Sequence, residues 1–165
     1  MKLYTLERNV VIARPLDEVH EFFAAPQNLE LLTPPWLRFQ ILTPPPIEMR
    51  RGAIFDYKIS LHGFPLRWRS LISAWEPKQR FVDEQLRGPY SVWIHEHLFE
   101  SVPGGTRVTD RVRYAAPGGP LVHRMLVRPD LERIFRYRCE RVEEIFSPSP
   151  EDVGGEGAER LAQPA

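Results

Sequence analysis

Cysteine is nearly missing from this 165-residue chain, in which Cys139 stands alone. One thiol excludes an intramolecular disulfide and a thiolate-rich metal site, and it fits a reducing compartment. Long apolar runs are missing as well. None approaches the ~18 residues that a membrane-spanning helix requires, and the opening MKLYTLERNVVI lacks the apolar core of about 7 to 15 residues found in a secretory signal. The expectation is a soluble, cytoplasmic chain. Excess charge of either sign is also missing, since 22 basic residues face 22 acidic ones. A nucleic-acid partner, whose signature is a strongly basic face, is therefore not expected. Lysine is scarce within the basic set, which is nearly all arginine. Arginine suits planar, bidentate ion pairs. The length fits one domain, able to bury about two-thirds of its unfolded surface.

What is present is mostly alternation. Residues 3–12 read as a strand, with Tyr4, Leu6, Val10 and Ile12 on one face and Arg8 interrupting it. Pro15, Asp17 and Glu18 then open a short helix over 15–24, and Asn28 caps a second over 29–32. Strands follow at 36–42, at 53–61 with Tyr57 on its inward face, at 66–75 with Trp68 inward, and at 106–114. On the last of these Asp110 sits among Val108, Val112 and Tyr114, and a carboxylate on an apolar face needs a partner. The period then changes to helical. Leu131, Ile134, Phe135, Cys139, Val142, Ile145 and Phe146 form an apolar stripe, and Pro129 predicts a break or kink near Val127 and Arg128. Residues 147–165 are rich in Pro, Gly, Ser and charge, and are expected to form a disordered, dispensable tail after a domain spanning 1–146.

The stretch 81–100, FVDEQLRGPYSVWIHEHLFE, reads as two strands joined by the turn Arg87-Gly88-Pro89-Tyr90. Phe81, Asp83 and Gln85 share one face; Trp93, His95, His97 and Phe99 share one face of the next strand. The opposite faces are mostly aliphatic (Val82, Leu86, Val92, Ile94, Leu98), and two readings follow. Either the aliphatic faces are a plain core, or the sheet curves so that the mixed face lines a pocket with apolar walls and a few polar groups. A slip of one residue in register exchanges the faces, so alternation leaves both open. His at i and i+2 on a strand point the same way, and zinc accepts two imidazoles. A metal would need a further ligand and a partner behind the imidazoles. Asp83 or Asp110 could serve, but neither lies in a recognised ligand spacing, so the expectation is no metal and no cofactor.

Strand, two short helices, six strands and one long helix make an α+β order with an antiparallel sheet. With its Asn28-Leu29, Leu32-Thr33-Pro34, Phe81-x-Asp83-x-Gln85, Gly88-Pro89-Tyr90, Trp93-x-His95-x-His97-x-Phe99 and Gly104-Gly105-Thr106 motifs, followed by Asp110 and Tyr114, the chain resembles the START-related SRPBCC superfamily. The resemblance covers residues 1 to 146 and is closest to small ligand-binding bacterial members. It implies a helix-grip fold: a curved sheet of about seven strands wrapped on a long C-terminal helix around a cavity. It also implies that Phe81, Asp83, Gln85, Trp93, His95, His97 and Asp110 face that cavity, with Tyr57 and Trp68 among its walls. Three functions remain open: a carrier or sensor of a small hydrophobic or aromatic molecule, a polyketide cyclase- or dehydratase-like enzyme using His95, His97, Asp83 and Asp110 as acid and base, or a protein-interaction module using the arginine-rich outer face.

Overall fold

The computed structural model describes residues 1–147, so the expected tail lies almost wholly outside the described residues. Period-two alternation becomes seven strands: β1 (Tyr4–Ile12), β2 (Gln40–Ile41), β3 (Ile54–Leu61), β4 (Phe64–Glu76), β5 (Arg80–Arg87), β6 (Val92–Val102) and β7 (Gly105–Ala115). Helices α1 (Leu16–Ala24) and α2 (Leu29–Leu32) lie between β1 and β2, and α3 (Gly119–Val122) leads through a π-helical turn into α4 (Arg128–Phe146). The strands form one antiparallel sheet in the order β1-β7-β6-β5-β4-β3-β2. Hairpins join β3 through β7 in sequence, so the long excursion through α1 and α2 is what carries the chain from one sheet edge to the other. Register shifts between β4 and β5 at Arg69/Ser70 and Ile72/Ala74 mark bulges, which bend and twist a sheet.

Three local expectations are corrected. The strand over 36–42 shrinks to Gln40–Ile41, because Pro35–Leu37 forms a 3₁₀ turn and Arg38 takes a left-handed conformation. The helix does not break at Pro129, since Val127 and Arg128 keep helical dihedrals. Instead the five residues His123–Val127 widen to π pitch. That places the irregularity where the proline ring would otherwise press on the carbonyl one turn earlier. The loop joining β5 to β6 is wider than a four-residue turn: β5 pairs with β6 only over Arg80–Glu84, and Gln85 bonds the Tyr90 backbone at both ends of its amide. A Cβ at Gly88 would meet the Gln85 side-chain oxygen at 2.3 Å, so a larger residue there would displace that amide.

Packing separates the two readings of the hairpin. The mixed face is the inner one, with Phe81, Trp93, His95, His97 and Phe99 buried, while on the aliphatic face Val82 is buried but Leu86 is 53% exposed. Leu86→Thr should therefore leave the unfolding free energy within about 0.5 kcal/mol by urea titration. A loss above about 2 kcal/mol would mean that this face is core.

Two apolar clusters fill the concave side. One gathers Val10, Ile12, Phe23, Phe99, Val108, Val142 and Phe146 beneath α1 and the end of α4. The other gathers Leu6, Trp68, Trp93, Val112, Tyr114, Leu131 and Phe135 beneath the beginning of α4. Between them, each element inserts polar residues into its inward row: His95 and His97 between Trp93 and Phe99 on β6, Asp110 between Val108 and Val112 on β7, and Arg138 between Phe135 and Val142 on α4. Together they form a polar belt across an otherwise apolar interior.

Candidate functional site

A cavity of about 200 Å³ opens between sheet and helix. Its walls include Tyr57, Trp68, Phe81, Trp93, Leu131 and Phe135, and Asp83, His95, His97 and Arg138 also reach it. The aromatic wall is interlocked: Trp68 stacks on Tyr57 with ring centroids 5.8 Å apart and meets Trp93 edge to face at 5.2 Å. Both Trp68 Nε1 and the Tyr57 hydroxyl lie 3.1 Å from Ser70 Oγ, so the polar tips of the two rings share one hydroxyl. Burial in the wall, with Asp83 nearby, raises the Tyr57 hydroxyl well above its ordinary pKa.

Register builds the polar belt. Phe81 pairs with His97 and Asp83 with His95 across β5 and β6, and His97 pairs with Asp110 across β6 and β7. Residues directly opposite in adjacent strands share a face. The two imidazoles thus stand side by side, centroids 3.8 Å apart, between two carboxylates. Asp83 Oδ2 lies 3.1 Å from His97 Nε2 and 3.4 Å from His95 Nδ1. On the other side Asp110 Oδ1 accepts from His95 Nε2 at 3.0 Å and lies 2.9 Å from His97 Nδ1, which sits off the hydrogen-bonding direction and lacks an aligned partner. Arg138 Nε donates to Asp110 Oδ2 at 2.9 Å from the helix side.

Charge follows from this geometry. Burial opposes ionisation of Asp110, yet Arg138 and the two imidazoles overcome it and hold the carboxyl well below its ordinary pKa. Asp83 is lowered in the same way, against burial, by His95 and His97. The imidazoles diverge. Burial and the neighbouring His97 push His95 down, whereas for His97 burial is outweighed by Asp110 and Asp83, which raise it.

The structure thus brings together Tyr57, Trp68, Phe81, Asp83, Trp93, His95 and His97 around the cavity. It sets two other candidate residues apart. Asp110 stands behind the imidazoles rather than at the cavity surface, and the Gln85 amide is taken up by the Tyr90 backbone. Arg138, absent from the sequence-based candidates, holds the belt to the helix. Its spacing was the available signal: three residues after Phe135 and seven after Leu131, it falls in the buried stripe, whereas Cys139 is only half-buried.

A curved antiparallel sheet gripping one long helix, with a cavity between them, defines the helix-grip class of ligand-binding and enzymatic domains. The chain belongs to the family described as "Polyketide cyclase / dehydrase and lipid transport", whose profile matches residues 12–143, and with it to the SRPBCC superfamily. Among solved structures, a Chromobacterium violaceum protein superposes with a TM-score of 0.69 at 13% identity, covering 88% of this chain and 98% of its own. The Zhui aromatase/cyclase of a Streptomyces species gives 0.69 at 17% identity, covering 87% and 93%. Major latex-like protein 151 of Panax ginseng gives 0.67 at 13% identity, covering 88% and 99%. At such identities the likeness is one of fold alone. A comparison with curated protein sequences finds no match. No helix among the described residues is long and apolar enough to cross a membrane.

Proposed function

We propose that the chain binds a small hydrophobic or aromatic molecule in this cavity and acts as a carrier or sensor of it. One observation supports this reading above the others: an aromatic-walled cavity whose polar groups are gathered in one place, the belt. That is the arrangement a pocket uses to hold an apolar body while orienting one polar end. Tyr57, Trp68, Phe81 and Trp93 would contact the body of the ligand, and Asp83, His95 and His97 its polar end. Gln85 would act indirectly by closing the loop beside Tyr90, and Asp110 by fixing the imidazoles. A cavity of about 200 Å³ lies below the ~300–1,000 Å³ usual for ligand sites, favouring a compact molecule of one or two rings.

2-Naphthoate, a two-ring aromatic anion, is a suitable probe because four tryptophans report on its approach. Saturable quenching of tryptophan fluorescence is expected. Ile134→Trp, which adds bulk at the half-buried helix side of the cavity, should weaken the probe at least about tenfold while leaving the circular dichroism spectrum native. Equal affinity in both proteins would place the probe outside the cavity and remove the reading. A second reading, a cyclase- or dehydratase-like enzyme, is favoured by the imidazole–carboxylate pairs at the cavity wall. It differs in one result: a bound poly-β-ketone would be recovered dehydrated or cyclised rather than unchanged.

A further inference from the structure

The polar belt has a feature that ligand binding does not use. His95 and His97 present one ring nitrogen each toward Asp83 and the other toward Asp110. A neutral imidazole has one N–H and one lone pair. Neutral rings that donate along the two hydrogen bonds, His97 Nε2 to Asp83 and His95 Nε2 to Asp110, leave the His95 Nδ1 lone pair 3.4 Å from the Asp83 oxygen and the His97 Nδ1 lone pair 2.9 Å from Asp110, acceptor against acceptor. If each ring instead has protons on both nitrogens, two cations lie side by side with centroids 3.8 Å apart. A cation among Asp83 Oδ2, His95 Nδ1 and His97 Nε2 removes both conflicts, because all three atoms then donate lone pairs to it.

We infer that Asp83, His95 and His97 form a three-ligand site for a divalent first-row transition ion such as zinc, with its open position facing the cavity. Three features of the geometry support this, the first two describing the same donor atoms. The ligand atoms all lie within 4.8 Å of one another. The two Asp83–imidazole edges, 3.1 and 3.4 Å, match the ~3.3 Å that separates neighbouring donors around a tetrahedral ion with bonds of about 2.0–2.1 Å. The third feature lies behind the rings. Metal-bound histidines characteristically direct their other nitrogen to a carboxylate, which sets the tautomer and ring orientation. Asp110 occupies that place for His95, bonded at 3.0 Å, and lies 2.9 Å from His97 Nδ1 without an aligned hydrogen bond, while Arg138 fixes it from α4. Neither Asp83 nor Asp110 lies in a recognised ligand spacing along the chain, yet strand register brings Asp83 to the imidazoles and Asp110 behind them.

The donor set narrows the ion. Two imidazoles and a carboxylate suit zinc, iron(II), cobalt or nickel rather than the all-oxygen preference of calcium and magnesium. Three protein ligands with one position open is the pattern of a site that acts on or holds a small molecule, whereas a purely structural site closes all four. Asp83, His95 and His97 reach the cavity and Asp110 does not, so the vacant coordination position would meet whatever enters. Two carboxylates, one guanidinium and a divalent ion leave the site with one positive charge, which favours a ligand with an anionic or readily ionised oxygen. The inference goes beyond the carrier reading and is tested without any organic molecule, so either can fail alone.

Chelator-stripped full-length protein would be exposed to zinc, desalted and assayed by elemental analysis. About one zinc per chain is expected, and cobalt in its place should give the visible absorption of a four- or five-coordinate ion. Asp83→Asn and His95→Gln, each checked for a native circular dichroism spectrum, should lose stoichiometric zinc. Asp110→Asn should weaken it by about 10- to 100-fold, as expected for a partner behind the ligands. Wild-type zinc well below stoichiometric, or zinc retained undiminished in both ligand variants, would overturn the assignment. Should either variant fail to fold, the wild-type cobalt spectrum decides: a spectrum of hexa-aquo type counts against the site.

Discussion

Arg138→Ala is expected to lower folding stability by about 3–5 kcal/mol, read as a fall in the urea midpoint with little change in slope. Arg138 is 7% exposed and Asp110 6%, so neither charge can turn to water when its partner is removed. The variant leaves a buried carboxylate with only imidazoles to neutralise it, and it also removes the guanidinium that covers the Phe23 ring at 5.4 Å. An exposed pair provides the contrast. Arg69 donates twice to Asp56, both at 2.8 Å, in a bidentate geometry better than that of the buried pair. Those side chains are 52% and 41% exposed, however, and Arg69→Ala should shift the urea midpoint far less. If the two arginine variants lost equal stability, the belt would be open to solvent and its electrostatics would be those of a surface.

How far the sequence alone shows this arrangement depends on the element. Alternation identified the inward rows of β3 and β7, and that of β4 as far as Ile72, because on a strand the side-chain period fixes which residues share a face; past the bulge Trp75, paired with inward-facing Phe81, takes the place expected for Ala74. It placed Asp110 on an inward row for the same reason, and it put Asp83 on one face with Phe81 and His95 on one face with His97. Which row is inward on β5 and β6 was not legible, since both faces of that hairpin are partly apolar and only packing against α4 decides between them. Neither was the register. The loop after Leu86 is longer than its Gly-Pro signal suggests, and its length is set by the Gln85 amide bonding the Tyr90 backbone, a contact that no local rule for turns contains. Arg138 was missed because an arginine beside Arg136 and Glu140 reads as part of a solvated face. Its burial depends on Asp110, 28 residues earlier on β7. Local pattern thus reveals the strand residues of the belt, and tertiary contact alone reveals Arg138 and the pairing.

The same helix offers the sharpest test of the grip itself. Phe135→Ala is expected to cost about 3–5 kcal/mol, the usual range for a truncated core aromatic. Phe135 is 4% exposed and belongs to the apolar cluster with Leu6, Trp68, Trp93 and Leu131. Its ring also meets His95 edge to face at 5.3 Å, which ties the cluster to the belt. The size of the loss depends on how far the neighbours relax into the vacated space, and here they have little freedom. The Trp68, Trp93, Tyr90 and Tyr57 rings brace one another, and Leu131 is held by the helix backbone. The space should therefore join the existing cavity rather than close, and the variant should accept a larger probe than wild type even as its unfolding midpoint falls. Cys139→Ala, four residues on and only half-buried, should cost less than about 1.5 kcal/mol. Were Phe135→Ala to cost under about 1 kcal/mol, α4 would not be gripped through this face, and the cavity between helix and sheet would lose its wall.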